Sequence, residues 1–274
     1  MILFLIRNIS SNYLITITLL FLGVSLQSCR NEGQENGSQT KEATPIPVYT
    51  NDSEIQKERD EIFSLLAYSI VRNDWQYDSV PRFERRGYNI GSVLVDPQGF
   101  PVYAALNCVT KQNNATQHGE VRLMTQYIDT ASKYNLRNHT IYTTLEPCAM
   151  CAGMMIMTSV ERIIFGQRDI DFSGTFGRMA IDSRSIGGYP PFPREVISEP
   201  APTPYYHQLD SAFQKFLNES DEKYLSKFLT TPIAKDIFSA ARESFLGYQV
   251  KHEENLQILD QARELYSRFV PQFN

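Results

Sequence analysis

The chain has 274 residues, 42% of them hydrophobic, and a formal net charge of -5. That is the composition of an ordinary globular protein, with too much apolar content for a disordered chain. The acidic balance disfavours nucleic acid as a partner, although a local basic groove can sit inside an acidic average.

Residues 1–28 read as a signal peptide. Arg7 gives an early positive charge and Leu14 to Leu26 is an apolar run, interrupted by Thr16, Thr18, Gly23 and Ser25. Leu26-Gln27-Ser28-Cys29 follows. It resembles a bacterial lipobox, which implies lipidation of Cys29, export and a membrane anchor through the N-terminal lipid. A plain signal peptide and an uncleaved helical anchor are the alternatives, and the anchor would need about 20 apolar residues. Residues 29–51 are rich in Asn, Gln, Glu, Gly, Ser and Thr, which suits a flexible tether.

A folded domain is expected over 52–217. Asp52 or Ser53 can cap a helix reaching Asn73, with Ile55, Ile62, Phe63, Leu65, Leu66, Ser69 and Ile70 at helical spacing. Residues 74–88 read as a loop whose basic trio, Arg82, Arg85 and Arg86, is a solvated patch before it is a phosphate site. Ile90 to Val95 and Phe100 to Leu106 flank Asp96-Pro97-Gln98-Gly99, the pattern of a hairpin. His118 to Tyr134 predicts a helix, Thr140 to Leu145 a strand, Cys148 to Thr158 a helix and Arg162 to Phe165 a strand. Asp169 to Tyr206 loses the pattern, with an edge strand at Glu195 to Ser198. Helices are expected over Tyr205 to Leu217, Pro232 to Gly247 and Glu253 to Phe269, so 218–274 is read as a helical extension packed on the domain. Strands alternating with helices predict an α/β/α layering. Met150, Met154, Met155 and Met157 are expected in the core, and His139 at the surface.

Two motifs carry chemistry. His118-Gly119-Glu120 and Pro147-Cys148-Ala149-Met150-Cys151 together offer one imidazole and two thiols. A catalytic zinc takes three protein ligands and keeps one position for water, and H-x-E with P-C-x-x-C is the pattern of zinc deaminases. A bound zinc brings its water towards neutrality, and Glu120, which does not ligate, can move the protons. Both motifs fall where a helix begins, so the positive helix end favours thiolate at Cys148. A structural zinc would need a fourth ligand. Cys108 and His139 lie outside either motif, and no cysteine pair remains for a disulfide.

Thr144-Leu145-Glu146-Pro147-Cys148-Ala149-Met150-Cys151-Ala152-Gly153 is very similar to the core of the cytidine deaminase-like superfamily. It most resembles the branch of tRNA adenosine deaminase, guanine deaminase and yeast-type cytosine deaminase. Val160 to Gly166 and Gly91 to Asp96 continue the likeness. The resemblance covers the span from 53 to 217. It implies a three-layer α/β/α fold with a mixed five-stranded sheet, zinc at His118, Cys148 and Cys151, and Glu120 as proton shuttle. It also implies substrate contacts from Asn107, Gly119 and Cys148. The family commonly has Ala where this chain has Gly119, and Pro-Thr-Ala where it has Ala115-Thr116-Gln117. Phe172, Phe176 and Tyr189, in the patternless stretch, are candidates for stacking on a base.

The expected protein is thus a zinc-dependent hydrolase of a small base or nucleoside, releasing ammonia, with a homodimer left open. Two other readings stay open: an exported deaminase acting on nucleic acid or another macromolecule, and a non-catalytic zinc lipoprotein.

Overall fold

The structure is a computed structural model that describes residues 54–188 and 195–270. The expected signal peptide, the whole tether with Cys29, and Tyr189 lie outside the described residues.

Five strands form one mixed sheet in the order β2-β1-β3-β4-β5. β1 (Gly91–Val95) and β2 (Pro101–Leu106) are the expected hairpin. Asp96 makes the turn between them, its Oδ1 accepting the N–H of Gln98 and of Phe100. β1 also pairs antiparallel with β3 (Thr140–Thr143). β3 with β4 (Arg162–Phe165), and β4 with β5 (Ile197–Pro200), are parallel. Every residue of β1, β3 and β4 is buried, as expected of strands covered on both faces.

The two-residue period divides these strands between two cores. Val93, Tyr142 and Ile164 face α1 (Glu54–Asn73). Leu94, Ile141 and Ile163 face α2 (Gly119–Thr130) and α3 (Ala149–Thr158). The result is the expected α/β/α layering. The methionine group is split. Met155 is fully buried, whereas Met150 and Met157 are exposed on the outer side of α3.

α1 departs from a one-sided stripe. Leu65, Leu66, Ala67, Tyr68, Ile70 and Val71 are all buried, because its outer side is covered by α7 (Pro232–Leu246) and α8 (Leu256–Ser267). A helix apolar all round belongs inside a core. Phe238, Ala241, Phe245, Ile258 and Ala262 complete that core. Its polar end is also paired. Glu58 accepts the N–H of Lys251 and His252 and an Asn255 amide N–H, and Arg59 donates to Asn255 Oδ1 at 2.6 Å.

Between β4 and α7 come α4 (Thr175–Met179), α5 (Pro204–Glu219) and the single turn α6 (Leu225–Phe228). No described helix is long and apolar enough to cross a membrane.

Candidate active site

The site is built where two helices begin on the same side of the sheet. His118 is the N-cap of α2 and Cys148 the N-cap of α3, both in extended backbone. Cys151 follows one turn into α3 and is fully buried. His118 Nδ1 lies 3.6 Å from each sulfur, and the two sulfurs are 3.7 Å apart.

Those distances test the metal. Zn–S near 2.3 Å and Zn–N near 2.0–2.1 Å at tetrahedral angles place two sulfurs about 3.8 Å apart and each about 3.6 Å from the nitrogen. The three donor atoms match that spacing, and their soft, borderline chemistry suits zinc. His118, Cys148 and Cys151 are therefore a cluster compatible with zinc, as the sequence leads one to expect. The Cys148 thiol is held down to about 4, first by the hydrogen bond from Cys151 and then by that from His118. The Cys151 thiol is pushed up by its partner sulfur and by burial, and His118 is raised by its bond to Cys148. The neighbouring sulfur thus favours the thiolate at Cys148, in the same direction as the helix end.

Glu120, in the first turn of α2, is 3% exposed. Burial pushes its carboxyl up. Thr143, the last residue of β3, donates to Glu120 Oε1 at 3.0 Å, and Ser92 of β1 donates to Thr143 Oγ1 at 3.2 Å. Two strands thus fix the carboxylate from behind. Its other oxygen lies 3.7 Å from Cys151 Sγ, beside the metal position.

A cavity of about 220 Å³ opens on this centre, lined by His118, Glu120 and Cys148. Tyr88, Ile90 and Leu145 give it apolar sides, and Glu146, Asp169 and Asp171 an acidic one. Glu146 is a framework group. Its two oxygens accept the N–H of Gly174 and of Asp169, which tie the segment after β4 to the site. Asp169 Oδ1 caps the same segment through the N–H of Asp171 and Phe172.

Of the expected stacking residues, Phe172 lines the cavity, while Phe176 packs against the α2–α3 core. Asn107, an expected substrate contact, is fully buried and is not among the residues that line the cavity. Its Oδ1 accepts the N–H of Tyr88 and Val109, and its Nδ2 has no hydrogen-bond partner among the described residues. Gly119 has a packing reason. A Cβ there would sit 3.2 Å from the Ala105 carbonyl and 3.4 Å from Gly91 Cα.

The basic trio is mostly committed elsewhere. Arg86 pairs with Asp74 at 2.6 Å and Arg85 with Asp78 at 3.1 Å, which leaves Arg82 in a neighbouring groove with Phe83. His139 is buried rather than at the surface, 4% exposed, with Nδ1 on the Arg137 carbonyl and its ring against Tyr127. Tyr224, Leu225 and Ser226 also line the cavity. Sequence reasoning does not find them, because nothing in a four-residue turn far from either motif marks it as part of the site.

Residues 78–167 match the cytidine and deoxycytidylate deaminase zinc-binding region. The chain is 33% identical over 113 residues to a probable cytosine deaminase of Schizosaccharomyces pombe, covering 39% of this chain and 68% of that protein. It is 35% identical over 80 residues to a tRNA-specific adenosine deaminase of Haemophilus influenzae, 29% of this chain and 46% of that one. The chain therefore spans about half the length of the latter relative. Among solved structures it is similar to a guanine deaminase from Nitrosomonas europaea, with 14% identity, TM-score 0.36, and 77% and 100% of the two chains covered.

Proposed function

Because the chain belongs to the cytidine and deoxycytidylate deaminase zinc-binding family, we propose that it deaminates a nucleobase or nucleoside by hydrolysis. The supporting observation is a buried carboxylate, Glu120, held beside a three-ligand zinc centre at the base of a cavity with planar and apolar walls. The reaction replaces a ring C–NH2 by C=O, consuming water and releasing ammonia. It is the hydrolysis of a C–N bond in a cyclic amidine.

When bound, zinc supplies Lewis acidity and brings a water towards neutral pKa. His118, Cys148 and Cys151 would hold it. Glu120 moves the protons. It takes one from the attacking water, gives it to the ring nitrogen beside the reacting carbon, and then helps protonate the departing amine. Burial raises its proton affinity, so it can hold a proton between these transfers. Thr143 and Ser92 keep it from rotating away. N–H groups at the start of α3 face charge developing at the site. Asn107 and Gly119 are the proposed polar contacts to the substrate.

Relatives named as tRNA-specific adenosine deaminases favour a second reading, deamination within RNA. The acidic wall of Glu146, Asp169 and Asp171 opposes a polyanion and supports the small substrate. The decisive experiment incubates zinc-loaded protein with cytosine, guanine, adenine, their nucleosides and a transfer RNA, and measures ammonia. Release from a base or nucleoside is expected. Release from transfer RNA alone selects the second reading, and release from none removes the proposed activity.

We also propose that the domain works outside the cytoplasm, tethered through Cys29.

A further inference from the structure

Tyr224, Leu225 and Ser226 stand in the wall of the cavity that holds Glu120, far beyond the 78–167 stretch that matches the family's zinc region. Their backbone is anchored on three sides. The Tyr224 carbonyl accepts the N–H of Lys227 at 3.0 Å and of Phe228 at 3.1 Å, which fixes the direction in which α6 leaves it. Phe228 is buried, its ring 5.2 Å from that of Phe213 and 5.7 Å from that of Phe216 on α5. The Leu229 carbonyl accepts Nδ2 of Asn89 at 2.8 Å, and Asn89 lies between Tyr88 and Ile90, both in the cavity wall. Outside, the Lys227 ammonium bridges Asp78 at 2.5 Å and Glu222 at 2.9 Å.

The Tyr224 ring contrasts with this framework. It is 71% exposed, and its hydroxyl has no hydrogen-bond partner among the described residues. A lone exposed tyrosine is unremarkable on a surface. This one is placed at the cavity by those contacts, and packs into neither core. Phe172, half exposed, is another aromatic of the same wall, from the segment after β4. A planar heterocycle presented to Glu120 would bury aromatic surface that the folded chain leaves in water.

We propose that Tyr224 is a substrate-binding residue, its ring stacking on the heterocycle, so that the C-terminal helical part supplies one wall of the binding site. This rests on the deaminase reading. Tyr224→Ala and Tyr224→Phe are compared with wild type as full-length, zinc-loaded proteins, using cytosine, guanine, adenine and their nucleosides with ammonia as readout. Zinc content and melting temperature should be unchanged, because the ring is exposed. For the compound that wild type turns over, Tyr224→Ala should raise KM about 10-fold, the scale of one aromatic–base stack, with kcat within about 3-fold. Tyr224→Phe keeps the ring and should stay within about 2-fold of wild type in both constants. A KM for Tyr224→Ala within about 2-fold of wild type overturns the proposal alone, as does a Phe variant as impaired as the Ala variant. A wild-type protein that releases ammonia from none of these compounds overturns the small-substrate reading and this proposal with it.

Discussion

Cys148 has two roles in the proposed site, as the cap of α3 and as a proposed zinc ligand. Cys148→Ala should leave the centre with two ligands and abolish stoichiometric zinc, read by metal analysis, together with some stability, since metal binding is linked to folding. A fully metallated, active variant would sink the assignment. Glu120→Gln separates binding from chemistry. It should keep the metal and the fold, and lose about 10²–10⁴-fold in turnover. Turnover near wild type would mean that another group moves the protons. His139 gives a pH test away from the centre. Burial lowers its imidazole below the ordinary value, so the unfolded chain binds that proton more readily. This contribution to stability is complete above about pH 6.5 and is lost as pH falls towards the lowered folded value. His139→Gln should therefore flatten the fall in melting temperature between neutral and mildly acidic pH. The cluster of His118, Cys148 and Cys151 with Glu120 beside it was legible because residue type and spacing alone point to it. The framework around them was not. Glu146 is visible in sequence only as a neighbour of Pro147, and its use, tying down the segment after β4, depends on N–H groups more than twenty residues away.

At the scale of elements, legibility followed burial. β3 and β4 could be placed because β-branched and aromatic residues dominate both, Thr-Ile-Tyr-Thr in one and Ile-Ile-Phe after Arg162 in the other. β5 is exposed at all four residues, so no periodicity marks it, and the expected edge strand falls two residues early. α6 is a single turn, too short for any period. What joins these elements is also unmarked in the sequence. Asp60 of α1 accepts both guanidinium arms of Arg162 at 2.7 Å and the Tyr142 hydroxyl at 2.7 Å, and Arg162 continues to Glu199 of β5 at 2.6 Å. One carboxylate thus ties α1 to β3 and β4, and through Arg162 to the edge strand. Asp60→Asn breaks a buried pair and should destabilise the fold by about 3–5 kcal/mol in denaturant unfolding, with zinc stoichiometry retained. A loss below about 1 kcal/mol would mean that the pair is solvated as a surface pair is. Close packing makes a similar demand at Gly166, where any Cβ would overlap the Tyr68 phenol that donates to the Gly166 carbonyl.

On the scale of the whole molecule, the helices after residue 217 are structural partners of α1, because Phe238, Phe245, Ile258 and Ala262 fill the same core as Leu66 and Ile70. The N-terminal tether has the opposite composition, with almost no apolar residue before Ile46. A protein expressed from residue 52 should therefore be soluble and keep the activity of the full chain. The proposed tether then predicts a specific product. If Leu26-Gln27-Ser28-Cys29 is a lipobox, the mature chain begins at Cys29 and carries acyl chains, fractionates with membranes and enters the detergent phase. A single acyl chain on a polar tether binds membranes only marginally, whereas two or more anchor stably, so the extracted mass should show multiple acylation. Cys29→Ser removes the acceptor and should leave residues 1–28 uncleaved. Intact-mass analysis of the membrane-extracted protein reads both outcomes. A wild-type mass that retains residues 1–28 and carries no lipid would replace the lipoprotein by an uncleaved helical anchor, leaving the zinc chemistry untouched.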